Sequence, residues 1–76
     1  MQKMMIRLST IEDIRNFVAT VIGFDFEIDL CSGRYVIDAK SIMGIFSLDL
    51  LSPIKLTAYA EDPAELFAAL DKFIIK

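Results

Sequence analysis

The sequence predicts an α+β fold, an open-faced sandwich whose sheet has one wet face and helices stacked on the other. Three observations carry this. Runs near residues 3–8, 24–31, 35–40 and 54–60 alternate apolar and polar side chains with the period of a strand. The segments between and after them place apolar residues at helical spacing, each behind a capping residue. The resulting order is βαββαβα, and alternation rather than continuous apolar runs argues for a sheet covered on one face only.

Lys3 to Leu8 reads as the first strand, with Met4, Ile6 and Leu8 alternating against Met5 and Arg7. Ser9-Thr10-Ile11-Glu12 places a hydroxyl at a helix start and a carboxylate three residues on, and Thr10 with Asp13 offers a second register of the same capping box. Ile11, Ile14, Phe17, Val18, Val21 and Ile22 fall on one helix face, and Gly23 is the expected stop in the left-handed conformation. Phe24, Phe26, Ile28 and Leu30 alternate with Asp25, Glu27, Asp29 and Cys31 in the clearest strand. Ser32-Gly33-Arg34 supplies a turn, and Tyr35, Ile37 and Ala39 alternate with Val36, Asp38 and Lys40, completing an antiparallel hairpin.

The segment from Lys40 to Leu50 reads as a short helix capped by Ser41 and ended by Ser52-Pro53, because proline disfavours helix at the residue before it. Ile54, Leu56, Ala58 and Ala60 alternate with Lys55, Thr57 and Tyr59 in a fourth strand. Asp62-Pro63-Ala64-Glu65 combines a cap, proline at the first helical position and a glutamate closing a capping box. Leu66, Phe67, Leu70, Phe73 and Ile74 give the last helix its apolar stripe.

At 76 residues a single domain spanning 1–76 is expected, and an apolar content of 55% makes a core plausible despite the small size. No apolar run approaches the ~20 residues of a membrane span. Arg7 interrupts Met4 and Met5, so no signal peptide is expected. Cys31 is the one cysteine and cannot form an internal disulfide, which makes a cytoplasmic location the simplest expectation. A net charge of −3 with scattered basic residues opposes binding to a nucleic-acid backbone. The chain has no histidine, which excludes imidazole acid–base catalysis, Cys-His and Ser-His nucleophile pairs and histidine metal sites. The expectation is a protein that is not an enzyme and needs neither cofactor nor metal.

Lys40-Ser41-Ile42-Met43-Gly44-Ile45-Phe46-Ser47-Leu48, together with the order of elements, resembles the HPr family. These are the histidine-containing phosphocarriers of the bacterial sugar phosphotransferase system, and the resemblance is to the Gram-positive branch. It runs from roughly Asp25 to the C-terminus. It implies a four-stranded antiparallel sheet of spatial order 1-4-2-3 with helices on one face. The family carries a phosphorylated histidine at the start of the first helix, in a Gly-[Leu/Ile]-His-x-Arg-Pro motif that this chain lacks. Counting back from Ser41 at the family spacing puts Thr10 where the histidine belongs, Glu12 where the arginine belongs and Asp13 where the proline belongs. Threonine cannot form the labile phosphoimidazole, and carboxylates repel the phosphoryl group that arginine would hold. The resemblance therefore does not bring phosphocarrier activity with it. In this the chain is similar to the catabolite-repression HPr paralogues, which have lost the histidine and kept a regulatory serine.

Ser41 matches that regulatory serine. The resemblance implies modification by an ATP-dependent HPr-type kinase/phosphorylase and recognition of the phosphorylated form by a LacI-type catabolite regulator. It also implies docking through the apolar residues after the serine, here Ile42, Met43 and Phe46. The bland readings stand beside these. Ser41 could be an unmodified N-cap. Ile42, Met43, Ile45 and Phe46 could be core, but Ile45, Leu48 and one further residue could fill one face of so short a helix, so some of the rest are expected at the surface, for a protein partner or a second copy in a homodimer. Asp25, Glu27 and Asp29 are expected as solvated carboxylates on the outward strand face rather than a metal site, and Cys31 continues that face without an activating neighbour. The function expected is a regulatory interaction protein without phosphocarrier activity, switched at Ser41. The rivals are a binding or structural module in which both sites are vestigial, and a phosphotransferase component that uses Thr10 as acceptor.

Overall fold

In a computed structural model of the chain, residues 2–75 are described. The elements are β1 (Gln2–Ile6), α1 (Ile11–Val21), β2 (Ile28–Ser32), β3 (Tyr35–Asp38), α2 (Ile42–Phe46), β4 (Ile54–Ala58) and α3 (Ala64–Ala69), followed by a 3-10 turn, Asp71–Phe73. The strands form one sheet of order β1-β4-β2-β3, antiparallel at every pairing, as the resemblance implies.

Register explains the one-sided core. Ile6 lies opposite Ile54, Leu30 opposite Leu56, and Ile28 opposite Ala58, so these side chains share a face. All six are fully buried, against Ile14, Phe17 and Val21 of α1, Ile45 of α2, and Leu66 and Leu70 of the C-terminal helix. Each large side chain contributes about 1.5–3 kcal/mol by leaving water. Phe17 and Phe73 meet edge to face, ring centroids 5.8 Å apart, which ties α1 to the C-terminal turn. The opposite face carries Lys3, Asp29, Cys31, Lys55 and Tyr59. Thr57 is buried there, contrary to the expectation that it faces solvent, because β4 is a central strand and Lys3 and Asp29 flank Thr57 in register.

Four local expectations need correction. β2 starts at Ile28, not Phe24, so Asp25 and Glu27 precede the strand, although the Glu27 carbonyl still accepts from Tyr59 N at 3.0 Å. The carbonyls of Phe24 and Phe26 instead accept hydrogen bonds from Lys40 Nζ at 2.6 and 3.2 Å, which satisfies them without a ladder. Gly23 is not left-handed. The helix unwinds through short i−3 bonds, Gly23 N to Thr20 O and Phe24 N to Val21 O, and these need no positive φ. Ile11 and Ile22, at the two ends of the α1 stripe, are exposed rather than core. The last helix breaks after Ala69: Phe73 reaches the core from the 3-10 turn, and Ile74 is extended and bridges to Ile6. Gly33, at φ 60°, is the one residue with positive φ among those described, and it lets Gly33-Arg34 close the β2–β3 hairpin as a two-residue turn.

Candidate functional site

Ser41 sits where the chain leaves β3 and turns into α2. It is extended, at φ −99° and ψ 103°, and exposed. Its Oγ accepts a hydrogen bond from the Gly44 N–H at 3.2 Å, and its carbonyl accepts from Ile45 N at 3.1 Å, so it is the N-cap that the sequence predicts. The approach to it is built by the residues before it. Asp38 accepts from Lys40 N through Oδ1 (2.9 Å) and from Ser41 N through its carbonyl (3.0 Å). Lys40 spends its ammonium on the Phe24 and Phe26 carbonyls. This pins the strand before Ser41 to the segment before β2, a role of Lys40 that pattern alone does not show.

Gly44 shapes the space around the hydroxyl. A Cβ at that position would lie 3.2 Å from Ser41 Oγ and 3.3 Å from Ile37 Cδ1. Glycine here allows α2 to lie close over β3 and keeps the serine oxygen uncrowded. The first turn of α2 carries no acidic residue. Asp49, close in sequence, is occupied on its own loop, accepting from Leu51 N at 3.0 Å and Ser52 Oγ at 3.1 Å.

Beyond the cap, the apolar residues of α2 divide between core and surface. Ile45 and Leu48 are buried. Met43 is 76% exposed and Phe46 43%. Ile42 is half-buried and packs on the core, so it belongs to the margin of the surface patch. Leu51, 90% exposed on the loop after α2, was not singled out by sequence reasoning. Its only signal was an apolar side chain between Asp49 and the Ser52-Pro53 stop. Ile11 on the neighbouring α1 is exposed as well.

The start of α1 has the same backbone geometry and different chemistry. Thr10 is the N-cap, and its Oγ1 accepts from Asp13 N at 3.0 Å. Asp13 Oδ2 in turn accepts from Ser9 N at 3.1 Å, so the second of the two predicted capping registers forms, with its return bond displaced by one residue. Glu12 is exposed in the first turn. Both acidic groups therefore lie within a turn of the Thr10 hydroxyl. At α3 the expected box is reduced to one bond, Asp62 Oδ1 accepting from Ala64 N at 3.2 Å, with Pro63 in the cap position.

On the wet sheet face, the Asp29 carboxylate as a hydrogen-bond acceptor, with desolvation and the charges of Asp29 and Glu27, holds the Tyr59 phenol above its usual range. Cys31 Sγ is 3.6 Å from the Gly33 carbonyl, a weak donor contact within the hairpin. Among the described residues no three His, Cys, Asp or Glu side chains are grouped to hold a metal ion, and no helix is long and apolar enough to cross a membrane.

Comparison with known proteins agrees with this architecture. The family model described as "PTS HPr component phosphorylation site" matches residues 13–76. That range takes in Ser41 and all of α2 and starts after Thr10 and Glu12. No curated protein sequence matches. Among solved structures, HPr-C-His from Thermoanaerobacter tengcongensis is similar, with a TM-score of 0.79 and 30% identity over 95% of this chain and 89% of that one. A phosphocarrier protein HPr from Bacillus anthracis str. Ames is similar with a TM-score of 0.75 and 25% identity, over 97% of this chain and 96% of that one.

Proposed function

We propose a function from one premise: the chain belongs to the HPr family of the phosphotransferase system. Proteins of this family are phosphocarriers rather than catalysts. This member works without a histidine phosphocarrier, as a regulatory protein that binds other proteins through the surface around α2 and is switched by phosphorylation of Ser41. The chain has no histidine, and Thr10 and Glu12 stand in place of the family's histidine and arginine by spacing.

One observation carries the proposal. An exposed serine caps α2, its Oγ accepting from the Gly44 N–H, beside exposed Met43 and Phe46. The first-turn N–H groups of a helix have no partner within it, so a phosphate on Ser41 would be held by donors already present. Two added charges next to an apolar patch change what that patch binds, which is what a switch requires. The partners proposed are an HPr-type kinase/phosphorylase and a LacI-type catabolite regulator, in the cytoplasm, with Ile42 at the edge of the docking surface.

Incubation with an HPr-type kinase and ATP, followed by intact mass measurement, tests this. One phosphate is expected, lost in Ser41→Ala. Label from phosphoenolpyruvate through enzyme I is expected to be absent. A folded protein that takes no phosphate leaves the rival reading, a binding module in which both sites are vestigial. Transfer from enzyme I to Thr10 would instead make it a phosphocarrier of a new kind.

A further inference from the structure

The sheet has two edges, and the fold covers part of one. At β1, Ile75 N donates to Met5 O at 3.0 Å and Arg7 N donates to Phe73 O at 2.9 Å, so the chain after α3 lies along the Met5–Arg7 end of that edge. At β3 no strand follows among the described residues. The outward groups there can be assigned. The two-residue turn makes Ser32 and Tyr35 a hydrogen-bonded pair, and Ala39 N donates to Ile28 O at 2.9 Å at the far end of the same ladder. Tyr35, Ile37 and Ala39 therefore bond inward to β2, and Val36 and Asp38 present their N–H groups outward. Exposed edges are usually blunted by short length, charge, proline or a bulge. β3 is short and carries one charge, Asp38, but has no lysine, proline or bulge, and Val36 near its centre is 62% exposed.

We propose that the free edge of β3 pairs with the β3 edge of a second copy of this chain, antiparallel and centred on Val36, so that Arg34 of each copy faces Asp38 of the other. Three features choose this occupant. First, a register centred on Val36 joins the outward-facing N–H and C=O of the two Val36 residues at the two-fold axis, where they bond reciprocally without a shift. Second, Arg34, in the turn that leads into β3, and Asp38, at its end, lie two residues either side of Val36 and carry opposite charge, so the edge and its turn are complementary to themselves, and the pair forms twice. Third, Asp38 lies directly opposite Asp29 within the sheet, a like-charge cross-strand pair. Asp38 is bonded through Oδ1 to the Lys40 N–H, which leaves its other oxygen for the incoming guanidinium. The cation of this row, Lys3, lies at its far end on β1, and the second copy would supply one at the β3 end. A foreign strand would have to match the same spacing of charges, whereas a second copy has it by symmetry.

A four-residue strand buries little area, so the dimer is weak and concentration-dependent. Sedimentation equilibrium of the full chain, from roughly micromolar to millimolar concentration, should show the mass rise toward that of two chains. Arg34→Asp and Asp38→Arg, each shown by circular dichroism to be folded, should each weaken association by about tenfold or more, and the double variant should return it to within about threefold of the starting value. Exchange of the Val36 amide should slow as concentration rises. A chain that stays monomeric throughout overturns the proposal and leaves the edge to strands of other proteins. A dimer that neither single variant weakens, or that the double variant does not restore, also overturns it by placing the contact elsewhere.

Discussion

Two helices in this small protein begin in the same way and are equipped for different things. At α1, Thr10 Oγ1 accepts from the N–H three residues on at 3.0 Å; at α2, Ser41 Oγ does so at 3.2 Å. The residue that donates is Asp13 in one case and Gly44 in the other. Asp13 brings a carboxylate back to Ser9 N and closes the start of α1 on itself. Gly44 brings nothing but room, since even a methyl group there would crowd Ser41 Oγ. A hydroxyl cap is thus compatible with both a purely structural role and a modifiable site. The side chains of the first turn decide between them, because a phosphoryl group beside Glu12 and Asp13 meets negative charge and one beside Gly44 meets backbone donors.

The largest expected effect separates the two starts outright. Under an HPr-type kinase with ATP, Ser41→Ala should remove all incorporated phosphate, and Thr10→Ala should leave the amount unchanged. Phosphate retained in the serine variant and lost in the threonine variant would reverse the assignment. The next effect concerns the surface beside Ser41. Met43→Asp or Phe46→Asp should weaken binding of a regulatory partner by about tenfold or more, as expected where an apolar anchor is lost, while unfolding free energy moves by less than about 0.5 kcal/mol for Met43→Asp, the more exposed of the two. Calorimetric titration and urea unfolding of the same variants give both numbers.

The third effect turns to stability, and there the order of the two starts is inverted. Thr10→Ala removes the cap of an eleven-residue helix that buries Ile14, Phe17, Val18 and Val21, and should cost about 1 kcal/mol within the usual range of roughly 0.5–2. Ser41→Ala removes the cap of a five-residue helix with a single buried residue and should cost less, about 0.5 kcal/mol. Urea midpoints at constant slope would show it. Equal losses would mean that α2 contributes more to the core than Ile45 alone suggests.

How far the sequence reveals these features depends on the range of the interactions. Ser41 and Thr10 were legible because a cap is a contact across three residues, and Ile45 and Leu48 were legible as core because helical spacing is local. The sheet order came from the resemblance, since alternation alone does not say which strands are neighbours. The start of β2 was missed because Phe24 and Phe26 continue the alternation, while the partner that removes them from the ladder, Lys40, lies 16 and 14 residues away. Thr57 was misplaced for a related reason: its burial comes from Lys3 and Asp29 on two other strands. Leu51 was overlooked because nothing in a period marks a loop residue as exposed.

The smallest effect on stability is the sharpest test of what Gly44 is for. Replacing a helical glycine by alanine ordinarily gains roughly 0.5–1 kcal/mol. At Gly44 the new methyl would sit 3.2 Å from Ser41 Oγ and 3.3 and 3.4 Å from two carbons of Ile37, so crowding should offset that gain and leave Gly44→Ala within about 0.5 kcal/mol of the parent. Phosphorylation should respond more strongly. Relief of the crowding at Ser41 requires the hydroxyl to rotate or the helix to lift from β3, and either changes how the oxygen is presented to a kinase. The expected outcome is an unchanged urea midpoint with a slower rate of phosphate incorporation. If stability falls and the rate holds, Gly44 serves the packing of α2 on Ile37; if the rate falls alone, it serves the serine, and the difference between the two helix starts is functional at its third residue.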